Sequence, residues 1–216
     1  MKVNGTAVGW FINCSGFYLF QDTFRIKLKR LLDILISLLR LIVLSPLLLI
    51  VSILIKLDSH GPVIYSQKRV GQHGCTFLIH KFRSMREDAE KDGPKWAEKG
   101  DSRITRIGRF IRKSRIDELP QLWNVLRSEM SLIGPRPGRH EFIDQLEQEI
   151  PYYELRHLVK SGITRWAQVM SPYGASVEDA CDKLEYDLFY IKNYSLLLDF
   201  FILMKALPLI LWHRGR

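Results

Sequence analysis

Cysteine is scarce in this chain, and the three present, Cys14, Cys75 and Cys181, are far apart with no CxxC pair. That excludes a disulfide framework, gives no zinc site and points to a reducing compartment. The six histidines show no HExxH or comparable ligand spacing, so each is read as a buried or surface side chain. Internal repeats and low-complexity linkers are absent, and the apolar run that ends at Lys56-Leu57-Asp58 lacks the small-residue cleavage pattern expected of a secretory signal. Acidic residues are thin in the first half: residues 25–115 hold 20 Lys+Arg against 8 Asp+Glu, whereas 116–216 hold 11 against 14. A basic half of that kind faces nucleic acid, anionic lipid or a phosphorylated substrate, and charge alone does not choose among them.

What is present suits one domain plus a membrane element. The 216 residues are 47% hydrophobic and 25% charged, which excludes a disordered polyelectrolyte. From Ile34 to Ile55 every residue is apolar except Ser37, Arg40, Ser45, Pro46 and Ser52, and about 20 such residues span a bilayer core. Cationic residues flank both ends (Arg25, Lys27, Lys29 and Arg30 before; Lys56, Lys68, Arg69 and Lys81 after), so positive-inside bias gives no orientation. A helix that enters and leaves by one face removes the conflict. Ser45-Pro46 supplies a bend, because Pro46 has no N–H for the Ile42 carbonyl and the Ser45 hydroxyl can reach the Leu41 carbonyl. An ordinary spanning helix with a tolerated proline weighs about equally on these physical grounds.

The aromatic-rich first twenty residues, with Trp10, Phe11, Phe17, Tyr18 and Phe20, read as an interfacial lead-in. Val63–Val70 and Phe77–Phe82 around Gly71-Gln72-His73-Gly74 read as a β-hairpin. Helical patterns follow at 106–113, 118–127, 140–150 and 177–194, the last with a Ser176/Asp179 capping signature. The apolar stretch from Leu196 to Trp212, interrupted by Asp199, Lys205 and Pro208, reads as interfacial or packed on the domain. The fold class is therefore α+β and mainly helical. The division is 1–24 lead-in, 25–57 membrane helix, and 58–216 a domain with a β-hairpin and interfacial helices.

Three places could carry chemistry. Arg103, Arg106, Arg109, Arg112 and Arg115 recur every third residue and run into Asp117-Glu118-Leu119-Pro120; one or two could grip phosphate while the rest face water or headgroups. Asp117-Glu118 either caps the helix that follows or supplies a carboxylate that attacks phosphorus and another that holds a divalent cation, and both can hold together. Gly134-Pro135-Arg136-Pro137-Gly138 sets an arginine between two prolines, suited to rigid phosphate recognition or to a plain turn. Lys81-Phe82-Arg83-Ser84-Met85 is an anion site or an exposed strand end.

In order along the chain these pieces resemble the monotopic phosphoglycosyl transferases, bacterial sugar transferases that start glycan assembly on undecaprenyl phosphate. The likeness runs from about Lys29 to Leu207 and rests on Lys29-Arg30-Leu31-Leu32-Asp33, Ser45-Pro46, Gly61-Pro62-Val63, Gln67-Lys68-Arg69-Val70-Gly71, Lys81 to Met85, Asp117 to Val125, Met130 to Pro137, Trp166-Ala167-Gln168-Val169 and Glu185-Tyr186-Asp187. Departures occur at Ser161 to Trp166, where many members read Pro-Gly-Ile-Thr-Gly-Trp, at Gly138, and in the loop Met170 to Ala175. The likeness is to minimal members, those without a large amino-terminal membrane domain.

The resemblance implies a re-entrant membrane helix broken at Ser45-Pro46 and a catalytic domain on the cytoplasmic face of the bacterial inner membrane. It also implies a Mg²⁺-dependent two-step transfer of sugar-1-phosphate from a UDP-sugar to undecaprenyl phosphate. On it, Asp117 is the nucleophile and Glu118, with Asp117 beside it, binds the metal. Lys81, Arg83, Arg115 and Arg136 contact phosphates, and Gln168 and Asp187 belong near the substrates. The partners it implies are the donor, the acceptor and membrane lipid, without nucleic acid, and a homodimer is left open. The alternatives are a membrane-anchored basic module that binds anionic lipid or nucleic acid, and a catalytically dead scaffold of the same fold; no nucleic-acid motif supports the first, and retention of Asp117 speaks against the second.

Overall fold

The computed structural model describes residues 23–89, 91, 101–170 and 177–211. The aromatic lead-in, Ser176 of the capping signature, the Met170–Ala175 loop beyond Met170, and Trp212 lie outside the described residues. Helix is the main component, with two small two-stranded sheets.

The first helix, α1, runs Thr23–Asp58 and is built almost wholly from Leu, Ile and long cationic residues that favour helix. Leu38, Leu39, Ile42, Val43, Leu49, Ile50 and Ile53 along its middle are exposed. Among the described residues it alone is long and apolar enough to cross a membrane. So large an apolar surface needs lipid or a partner to cover it.

Pro46 lies inside α1 without ending it. The Ile42 carbonyl loses the N–H that a non-proline residue at 46 would donate, and the Ser45 hydroxyl donates to that same carbonyl at 2.8 Å. The acceptor is thus Ile42 and not Leu41 as the sequence suggested. Ser45 repairs the defect that Pro46 creates.

Both ends of α1 are fastened to one domain. At the start, Lys29, Asp33 and Ser37 form a buried stripe at helical spacing. Lys29 Nζ lies 2.6 Å from Asp199 Oδ2, and Asp33 accepts from the Ser131 hydroxyl at 2.7 Å and the Leu132 amide at 3.3 Å. Arg30 donates to the Val125 and Leu126 carbonyls at 2.7 and 3.0 Å, satisfying the C-terminal end of a short helix, α3 (Gln121–Leu126). At the other end, Asp58 accepts from the Ile107 amide at 3.1 Å, while Val51 and Ile55 pack with Phe82 and Ile111.

Strands β1 (Ile64–Val70) and β2 (Thr76–Phe82) form the expected antiparallel hairpin, in register from Ile64 opposite Phe82 to Val70 opposite Thr76. The turn places His73 and Gly74 in the left-handed region, at φ 55° and 74°. Fully buried Asn124 of α3 bonds to β2 as a strand would: its amide donates to the Leu78 carbonyl at 2.7 Å and its oxygen accepts from the His80 N–H at 3.1 Å. Helix α2 (Arg106–Lys113) starts at Thr105, whose hydroxyl accepts from the Gly108 amide.

Two short parallel strands, β3 (Ser131–Ile133) and β4 (Gly162–Thr164), were not anticipated from sequence. Their backbones come close at Gly134 and Gly162, where an added Cβ would meet backbone at 2.2 and 2.0 Å. Around them lie α4 (His140–Glu149), a tight turn at Tyr153–Leu158, α5 (Trp166–Met170), α6 (Val177–Lys192) and α7 (Leu196–Leu211). Val125, Met130, Ile133, Ile150, Ile191 and Ile202 are central to the core that joins them.

The helix expected at 118–127 begins only at Gln121, because residues 116–118 form a separate 3₁₀ turn and Pro120 opens the α-helical part with no side-chain cap. The Asp117-Glu118 pair is therefore not the cap of that helix.

Candidate functional site

The centre of the site is the turn Ile116–Glu118, entered through Arg115 at φ 56° and ψ 16°. A non-glycine residue in that left-handed conformation is uncommon and costs energy. It turns the chain sharply out of α2, so that two adjacent carboxylates and the preceding guanidinium meet at one point.

Glu118 is buried. Its Oε1 accepts from Arg136 at 2.8 Å and lies 3.5 Å from Lys81 Nζ, while its Oε2 is 3.7 Å from an Arg115 nitrogen. Burial alone would raise its pKa, but the charges of Arg136, Lys81 and Arg115 outweigh burial and hold the carboxyl far below the usual range. The same burial lowers the Lys81 ammonium to about 8 against the attraction of Glu118.

Asp117 is in the opposite situation. Burial and the adjacent Glu118 charge push it up to about 6, against the pull of Lys81, Arg112 and Arg136. Among the described residues its carboxylate makes no hydrogen bond or ion pair. Two neighbours in sequence are thereby given different work: one is fixed as an anion inside a cationic cage, and the other is left with uncommitted oxygens.

Arg136 reaches Glu118 from a loop that is held at every carbonyl. Pro135 accepts from the Gly162 amide at 2.9 Å, Arg136 from Arg156 at 2.9 Å, Pro137 from Arg69 at 3.4 Å and Gly138 from the Val70 amide at 3.1 Å. With proline on both sides, its guanidinium is presented on a backbone with little freedom to lose. Arg156 is itself buried, 2.9 Å from Asp187, and donates to the Tyr153 hydroxyl. Asp187 on α6 thus acts through Arg156 on Arg136.

The predicted residues sort accordingly. Lys81, Arg115 and Arg136 converge on Glu118 beside Asp117. Arg83 points elsewhere: its buried guanidinium donates to the Ser59 carbonyl at 2.6 Å and hydroxyl at 2.9 Å, beneath Gly61, and ties the end of β2 to the end of α1. Gln168 is half-buried on α5, with its backbone amide donating to the Arg165 carbonyl. Ser45 and Pro46 are on exposed α1, away from this cluster. Of the arginine row, Arg112 faces Asp117, Arg103 pairs with Asp101 at 2.5 Å, and Arg106 and Arg109 are exposed.

Sequence reading missed Arg156, which sits in a turn with no periodic signal, and Arg165, noted only as a departure in the segment before Trp166. The adjacency of Arg165 to the Trp166-Ala167-Gln168-Val169 motif was the one available signal.

Residues 24–213 match the bacterial sugar transferase family. The chain belongs to that family. It is 50% identical over 184 residues to the UDP-N-acetylgalactosamine-undecaprenyl-phosphate N-acetylgalactosaminephosphotransferase of Aeromonas hydrophila, covering 85% of this chain and 44% of that protein. To the UDP-glucose:undecaprenyl-phosphate glucose-1-phosphate transferase of Klebsiella pneumoniae it is 43% identical over 173 residues, 79% of this chain and 37% of that one. To the exopolysaccharide production protein PSS of Rhizobium leguminosarum bv. phaseoli it is 42% identical over 178 residues, 80% of this chain and 89% of that one. The chain thus spans less than half of the first two relatives and most of the third.

In this bacterial sugar transferase, the relay from Asp187 through Arg156 to Arg136 makes Asp187 a positioning residue. Asp187→Asn leaves Arg156 without its anion, and a shift of the Arg136 loop of about 1 Å is worth roughly 10- to 100-fold in rate. Transferase assays should show a loss of that order, with Asp187→Glu recovering part of it. Unchanged turnover in Asp187→Asn would remove the relay.

Proposed function

We propose that this chain transfers a sugar-1-phosphate from a UDP-sugar to undecaprenyl phosphate, releasing UMP, in two steps through Asp117. The observation that carries the reading is the division of labour in the carboxylate pair: Glu118 is held by Arg136, Lys81 and Arg115, and Asp117 beside it has uncommitted oxygens. The names of relatives that act on undecaprenyl phosphate support the substrate pair.

An Asp117 oxygen attacks the β-phosphorus and forms a carboxyl–phosphate bond. The bond from that phosphorus to the bridging oxygen breaks, and UMP leaves with the electron pair. A phosphate oxygen of the lipid then attacks the same phosphorus and Asp117 is released as carboxylate. Dividing the transfer in this way lets a soluble donor and a membrane-bound acceptor use the site in turn. Arg136, presented on its fixed loop, with Lys81 and Arg115, faces the charge that develops on the phosphate oxygens; preorganised donors of this kind are effective because they need not reorganise during the reaction.

The donor set fits Mg²⁺. Among the described residues no group of three His, Cys, Asp or Glu could cage a metal, and Mg²⁺ characteristically takes one or two carboxylates with substrate phosphates and water. Asp117 has oxygens to offer, and Glu118 Oε2 has only Arg115 at 3.7 Å, so Glu118 with Asp117 would hold the ion. When bound, it would neutralise phosphate charge and orient the leaving group.

The membrane arrangement we propose is re-entrant. Its support is that the same domain fastens Lys29 to Asp33 at one end of α1 and Asp58 at the other, with an apolar exposed middle between. Both ends then lie on one membrane face, the cytoplasmic one, where nucleotide sugars are made. Arg25→Cys and Leu57→Cys, each in a background lacking the native cysteines, should both resist an impermeant thiol reagent added outside cells; labelling at one position alone would establish a spanning helix.

Kinetics test the chemistry. UDP-sugar without lipid should yield a burst of UMP no larger than the enzyme present, and Asp117→Asn should abolish it while the protein stays folded. UMP that appears only when lipid is also supplied would replace the two-step scheme by direct transfer in a ternary complex.

A further inference from the structure

Six cationic side chains crowd the site, Lys81, Arg112, Arg115, Arg136, Arg156 and Arg165, against three carboxylates, Asp117, Glu118 and Asp187. The positive excess matches a ligand bearing phosphate. Each carboxylate other than Asp117 is already held: Glu118 by Arg136, Lys81 and Arg115, and Asp187 by Arg156. Buried guanidinium nitrogens with no hydrogen-bond partner occur in this cluster at Arg112 Nη1 and Arg156 Nε, but Arg156 is held by Asp187 and Arg112 acts on Asp117. Arg165 combines a buried Nε that has no hydrogen-bond partner with the lack, among the described residues, of any ion pair.

The fold brings this side chain to the site. Arg165 directly follows β4, whose last residue, Thr164, is paired with Ile133 and accepts at its carbonyl from the Gly134 amide at 3.0 Å. Arg165 therefore leaves the sheet alongside Gly134-Pro135-Arg136, and the charges that act on it most strongly are those of Arg136, Asp187, Arg156 and Glu118. Burial first, then Arg136 and Arg156, lower its pKa to about 10, the sign of a guanidinium short of anions. A buried donor left without a partner is costly, and a native structure that keeps one calls for an explanation.

We propose that Arg165 is a phosphate-binding residue of this site, its guanidinium taking non-bridging oxygens of a substrate phosphate. The inference rests on the transferase reading for the identity of the two phosphate sources, the diphosphate of the donor and the monophosphate of the lipid acceptor. Arg165 supplies the planar fork for such an oxygen pair, and the cations already held by Glu118 remain in place around the reacting carboxylate.

The test compares wild type with Arg165→Gln and Arg165→Lys in two arms, lipid-free UMP release as a function of UDP-sugar and complete transfer as a function of undecaprenyl phosphate at saturating donor. Arg165→Gln should lower the apparent second-order rate constant at least tenfold in one arm, read from single-turnover UMP bursts in the donor arm and as kcat/KM in the acceptor arm, chiefly through weaker half-saturation, with Arg165→Lys recovering only part and the melting temperature nearly unchanged. Loss in the donor arm assigns the nucleotide diphosphate, and loss in the acceptor arm assigns the lipid phosphate. Equal kinetics in both arms would overturn the proposal, as would equal losses in both arms accompanied by a fall in melting temperature, which is a structural role. If wild type releases no UMP in either arm, the transferase reading fails, and Arg165 is judged by calorimetry with inorganic pyrophosphate: tenfold weaker binding in Arg165→Gln supports the anion site, and equal binding removes it.

Discussion

A carboxylate taken out of water must be compensated or it takes up a proton, and the site depends on how that requirement is met at Glu118. Its cations come from three separate parts of the chain: Lys81 from the end of β2, Arg115 from the residue that leaves α2, and Arg136 from the loop after β3. Lys81 and Arg136 must be brought in by tertiary structure while Arg115 reaches Glu118 through the local turn, so the ion cluster also holds the hairpin, the end of α2 and the β3–β4 sheet together. Because Glu118 takes these partners, Asp117 does not, and its oxygens stay uncommitted.

The membrane helix answers a related constraint. Its apolar middle is exposed, yet its first turns carry buried Lys29 and Asp33, charges that would be costly in lipid and that find partners in Asp199, Ser131 and Leu132. The short motif Lys29 to Asp33 is therefore a docking surface between helix and domain, and Arg30 finishes the job by receiving the end of α3. At Ser45-Pro46 the Ile42 carbonyl loses its backbone donor and gains the Ser45 hydroxyl, which lets proline sit inside a helix without leaving that carbonyl unpaired.

Much of this was legible in the sequence. Local signals gave the hairpin, α2 and α1 close to their observed bounds, since alternation, a Gly-containing turn and an apolar run are properties of neighbouring residues. What depends on distant pairing was harder to read. The parallel β3–β4 pair joins residues about thirty apart through three-residue strands, too short to show a period. Arg156 sits in a turn and gains its role only when Asp187 arrives from α6. Arg83, next to Lys81 but one in the same motif, was grouped with the phosphate contacts and instead ties down Ser59, because β2 ends at Phe82 and Arg83, just beyond it, meets its partner at the end of α1. The acidic pair could be read as a helix cap, as a reactive pair or as both; the left-handed Arg115 before it, invisible in a sequence of this kind, takes it out of the cap and sets it beside Lys81 and Arg136.

The claim that Asp117 and Glu118 have separate duties is tested most directly by locating the intermediate. An acyl phosphate reacts with hydroxylamine and leaves a hydroxamate on the carboxyl carbon that carried the phosphosugar. Protein mixed with UDP-sugar and no lipid, treated with hydroxylamine and digested, should carry that hydroxamate at Asp117 and not at Glu118. A hydroxamate at Glu118, or none after UMP has been released, would contradict the account.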